Sequence, residues 1–132
     1  MTEQAPYTFG EAVAAARSAS RAQMEGEIAV RDAAADLAER ERLYRVSLAR
    51  KIVEVHAGGA AWTVAQDLAR GDEKVAVLRY ERDVAAGVLE AAQQRAWRHT
   101  ADRKDVQEFI SWSRRRELAE NGGDGPALRR AA

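Results

Sequence analysis

The residues with most capacity for chemistry lie between Arg95 and Arg116, in the run RAWRHTADRKDVQEFISWSRRR. Trp97, Phe109 and Trp112 are set there among Arg95, Arg98, Arg103, Lys104, Arg114, Arg115 and Arg116. Seven basic residues stand against Asp102, Asp105 and Glu108, a local charge of +4. Phosphate backbones attract such a surface, and aromatic faces stack on unpaired bases. Arg95, Trp97, Arg98, Arg103, Lys104, Arg114, Arg115 and Arg116 are therefore the candidate nucleic-acid-binding residues. The same spacing permits a second account. Val106, Phe109, Ile110 and Ser113 recur at helical intervals, so Phe109 fits a core; Trp97 and Trp112 fit packing roles as well.

Other chemistry finds little support. His56 and His99 lie far apart, and neither has a histidine four residues away to complete a metal-binding pair. His99 could pair with Asp102 or Asp105, but a solvated helix-face pair is the better account of that spacing. Ser111 and Ser113 flank Trp112 among arginines, with no histidine nearby in sequence to serve as the base that nucleophilic catalysis needs. Gly58-Gly59 lacks the Lys-Ser or Lys-Thr that completes a phosphate cradle. We expect no enzyme, no metal and no cofactor. A helix-turn-helix reading of TVAQDLARGDEKVAVLRY places Gln66, Arg70 and Asp72 at positions that need apolar side chains, which argues against sequence-specific duplex readout.

The elements that must position these residues are long helices. The chain has 132 residues, 21 basic and 21 acidic, with no cysteine. Much of its 46% hydrophobic content is alanine, which buries little area. A long-helix protein that completes its core as a homo-oligomer fits that composition. No stretch is long and apolar enough to span a membrane, and the absence of cysteine suits a reducing compartment, so the expected location is the cytoplasm.

Residues 1–8 read as a flexible start, and Thr8 with Glu11 has the form of a capping box. A helix should run from Phe9 to His56, roughly 70 Å. Val30, Ala34, Leu37, Glu41, Tyr44, Leu48, Ile52 and Val55 form its stripe, with Glu41 either a register-setting polar residue or a solvated edge. Gly58-Gly59 stops it. Thr63 with Gln66 suggests a second capping box and a short helix over 64–70, with Trp62 packed beside it and Gly71 after it. Asp72 suits the N-cap of a second long helix whose seam is Val75, Leu78, Arg82, Ala85, Leu89, Ala92 and Ala96.

The expected fold is all-α: two long antiparallel helices, a coiled-coil-like hairpin over 9–118, joined by a short connector, with 119–132 a disordered tail. Leu48, Ile52, Val55, Trp62, Val64, Leu68, Val75 and Leu78 should close the hairpin end of the core.

Several features together resemble a family of small helical proteins from tailed phages of actinobacteria. They are Tyr44…Leu48-Ala49, Asp67-Leu68-Ala69-Arg70-Gly71, Leu78-Arg79-Tyr80…Arg82-Asp83-Val84-Ala85 and Trp112-Ser113, spread over Glu41 to Arg115. Leu78 and Tyr80, Trp97 after Arg95, and Phe109 are also similar to the C-terminal helix of phage recombination mediator proteins, although no Lys-rich motif stands in the first helix. That resemblance implies a non-enzymatic accessory protein of recombination or replication. It would form an oligomer, bind single-stranded DNA and serve a recombinase, in the host cytoplasm. The alternatives are a structural or assembly coiled coil of a virion, and a host-interaction or anti-defence protein.

Overall fold

A computed structural model describes residues 8–122. They form three helices in the order α1 (Phe9–Ala57), α2 (Trp62–Arg70) and α3 (Glu73–Gly122). No strand occurs among the described residues. The all-α architecture of two long helices with a short helix between them is as expected. Two compact units divide it: Gly26–Arg95, and a second that joins described residues 8–25 to 96–122.

Local chemistry sets the boundaries. At the start of α1, Thr8 N donates to Glu11 Oε2 at 2.8 Å and Glu11 N donates to Thr8 Oγ1 at 3.2 Å. These reciprocal bonds satisfy two amides that the first helical turn leaves open. At the other end, Gly59 takes a φ of +106°, a backbone that only glycine adopts without strain. Its N–H donates to His56 O at 3.0 Å, and Ala60 N donates to Val55 O at 3.4 Å. Asp72 caps α3 as expected, accepting from Val75 N at 3.3 Å. Lys51 Nζ holds the same carboxylate from α1 at 3.6 Å.

Two expectations about the connector are corrected. α2 begins at Trp62, with Ala61 as its N-cap and no side-chain cap, so Thr63 and Gln66 lie inside the helix instead of forming a capping box. The core of the connector is also different. Trp62, Val64 and Leu68 are exposed, while Ala65 and Ala69 are wholly buried. Two alanines four residues apart let the α2 backbone approach closely, and that approach turns Val64 and Leu68 to one side. Trp62 instead lies flat on His56, with ring centroids 3.6 Å apart. His56 Nδ1 donates to Ala60 O at 2.8 Å, which fixes the ring that Trp62 covers.

In the Gly26–Arg95 unit, the α1 and α3 segments run antiparallel and meet along their stripes. Val75 and Ala85 are buried, and Leu78, Arg82, Leu89 and Ala92 are half-buried. From α1, Tyr44 is buried and Val30, Leu37, Leu48, Ile52 and Val55 are half-buried. The Arg82 guanidinium sits over the Tyr44 ring, 4.6 Å from its centroid, so a cation closes the seam where a leucine would have been ordinary. Glu41 pairs with Arg45 one turn on at 2.9 Å, which makes it a solvated edge residue.

In the other unit the two segments again run antiparallel. Ala12 is buried, and Gln23 of α1 meets Arg103 of α3. α3 also continues past the expected end at Leu118: residues 119–122 are helical. The remainder of the expected tail, 123–132, and residues 1–7 lie outside the described residues.

Candidate nucleic-acid interface

The candidate residues sort into three groups. Arg95 is the last residue of the Gly26–Arg95 unit and is exposed there. Arg103 faces the α1 segment of its own unit. Its Nη1 donates to Gln23 Oε1 at 2.8 Å, and its Nε is buried without a hydrogen-bond partner. It is a seam residue and does not present its charge outward. The other six, Trp97, Arg98, Lys104, Arg114, Arg115 and Arg116, are exposed on α3.

The heptad spacing explains this sorting. His99, Arg103, Val106, Ile110 and Ser113 continue a 3-4-3-4 pattern, and each is half-buried. At about 100° per residue, Trp97, Lys104, Trp112 and Arg115 fall within an arc of about 80° that points roughly opposite that seam. Trp97 is 80% exposed and Trp112 46% exposed. The core account of these tryptophans is therefore not what the chain adopts. Phe109 is half-buried, 5.9 Å from Trp112 between ring centroids. Trp97 and Trp112 stand about 22 Å apart along the helix at 1.5 Å per residue.

Electrostatics qualify the local charge. Arg98, Lys104 and Arg114 form no ion pair among the described residues. Arg116 does: it reaches Glu120 at 3.0 Å while its guanidinium lies 5.5 Å from the Trp112 ring centroid. Arg115 Nε donates to the Ser111 carbonyl at 3.3 Å. Glu108 sits within the aromatic arc, and Glu117 and Glu120 follow the arginines. The excess is thus concentrated at Arg98, Lys104 and Arg114–Arg115 and does not cover the whole face.

On the other side of the same unit, an open groove of about 600 Å³ is lined by Ala15, Ser18, Ala22, His99, Asp102 and Phe109, among others. His99 and the carboxylates of Asp102 and Asp105 border it together. Among the described residues, no group of three or more His, Cys, Asp or Glu side chains is placed to hold a metal ion. None of the described helices is long and apolar enough to cross a membrane.

Sequence reasoning missed one property of the site. The 3-4-3-4 spacing from Val75 continues unbroken through His99, Arg103 and Val106 to Ser113. Followed that far, it would have placed Arg103 in the seam and Trp97 on the outside. No family model matches the chain, and no curated protein or solved structure is similar to it.

Proposed function

We propose that this is a non-enzymatic accessory protein that holds single-stranded nucleic acid along the outer face of α3, between Trp97 and Arg116. The observation that carries this reading is the exposure of Trp97, 80%, in line with Lys104, Trp112 and Arg115. A large apolar ring held in water with cations beside it is the arrangement on which unpaired bases stack. Delivery of that strand to a recombinase, in a phage setting, is the role that the sequence resemblance adds.

The test is fluorescence anisotropy with a labelled oligothymidine at low and high salt. Binding that weakens steeply with salt, and that Trp97→Ala with Trp112→Ala reduces about tenfold or more, supports the proposal. No binding at low salt, or binding that the double substitution leaves unchanged, overturns it. A second reading, a structural or assembly hairpin that acts without nucleic acid, is favoured by half-exposed Val77, Val84 and Val88 on α3.

A further inference from the structure

We infer that the Glu73–Arg95 segment of α3 is an interface for a second copy of this chain, packed antiparallel about Val84. The inference is independent of the nucleic-acid reading, since its residues all lie in the Gly26–Arg95 unit.

Val77, Tyr80, Val84, Val88 and Ala91 are all exposed. With Glu73 and Arg95 they fall within one arc of about 80° at 100° per residue, apart from the seam formed by Val75, Leu78, Arg82 and Ala85. The helix therefore carries two stripes. The chain's own α1 covers one, and nothing within the unit covers the other.

The order along the stripe points to self-pairing. In an antiparallel two-fold contact, residues equidistant from the centre meet. Counted from Val84, Tyr80 and Val88 are each four residues away, Val77 and Ala91 seven, and Glu73 and Arg95 eleven. Each apolar residue thus meets an apolar residue. Each end sets the carboxylate of one copy against the guanidinium of the other. Neither Glu73 nor Arg95 forms an ion pair among the described residues, so both charges are available for that contact. A charged residue at both ends with the same sign would have disfavoured this pairing. Gly87 borders the stripe, and nothing lies within 4 Å of where a Cβ would stand. A glycine inside a helix costs about 1 kcal/mol relative to alanine, and no contact among the described residues requires it. An approaching second backbone does.

The experiment is size-exclusion chromatography with light scattering on the full chain, with circular dichroism as the control for folding. The wild type should be a dimer, or an oligomer built of dimers. Val84→Lys should shift it to the monomer, with helix content unchanged. Glu73→Arg and Arg95→Glu should each raise the dissociation constant about tenfold, and the double reversal should restore it, because the two charges meet across the interface. The chain has no cysteine, so Val84→Cys offers a second readout: mild oxidation should give a covalent dimer in high yield. A monomeric wild type, a Val84→Lys variant that keeps the oligomer, or single reversals that the double reversal fails to rescue would overturn the inference. None of these results depends on DNA binding.

Discussion

Arg40 Nη1 of α1 lies 2.8 Å from Glu81 Oε2 of α3, an ion pair across the hairpin at the edge of the seam. Arg40 also touches Asp36 on its own helix at 3.5 Å. Both partners of the cross-helix pair are over a third exposed, so its contribution to stability is modest. A double-mutant cycle on Arg40→Ala and Glu81→Ala, read by urea melts, should give a coupling of about 0.5 kcal/mol. A value near zero would leave register in this unit to the stripe, with its Arg82–Tyr44 contact, and to the Lys51–Asp72 pair.

Among the described residues Val75 is the largest fully buried side chain, 1% exposed. Val75→Ala removes two methyl groups from the tightest part of the seam and should cost about 2 kcal/mol. Trp97→Ala, by contrast, should change stability by less than about 0.5 kcal/mol, because it removes almost no buried area. The same denaturation assay reads both, and the order of the two effects is the prediction.

Trp62→Ala tests the connector. A buried indole there would cost about 3–5 kcal/mol, but this one is half exposed and is held by its stack on His56. The expected loss is about 1 kcal/mol. Gly59→Ala should cost a similar amount for a different reason, since its φ of +106° strains any residue with a Cβ.

The seam contact between Arg103 and Gln23 is polar. Gln23→Glu would set a carboxylate opposite the guanidinium and should raise the melting temperature at neutral pH. The gain should vanish as the pH falls below about 4, where the new carboxyl takes up its proton. Differential scanning calorimetry at pH 7 and pH 3.5 separates the two cases.

Lys51 gives a pH dependence at the alkaline end. Its hydrogen bond to Glu54, and then the charges of Glu54 and Asp72, hold the ammonium above its ordinary value of 10.5. A folded-state pKa raised above the unfolded one contributes stability that is fully present below the unfolded value. That contribution is lost as the pH rises through the folded one. Lys51→Met should therefore lower the melting temperature at pH 8, and that difference should shrink as the pH climbs above the ordinary lysine value.

Much of the fold could be read in advance because its signals are local. The Thr8–Glu11 box, the Gly58–Gly59 stop and the Asp72 cap each act within four residues, and each stands where the spacing placed it. The connector misled because burial there is decided by close approach. Ala65 and Ala69 win the interior by being small, which no hydrophobicity pattern reveals. The basic stretch misled in part because charge was read along the chain and not around the helix. Arg103 and Lys104 are neighbours in sequence, yet one meets Gln23 in the seam and the other faces outward.

All three indoles stand at the surface: Trp62, Trp97 and Trp112 are each at least 46% exposed. The folded protein should therefore emit at the long wavelengths of water-bathed indole, so unfolding will scarcely move its spectrum. The same light becomes a label-free reporter of encounter. Iodide should quench it readily in the free chain, and whatever settles on Trp97 or Trp112 should shield it while leaving Trp62 to darken as before.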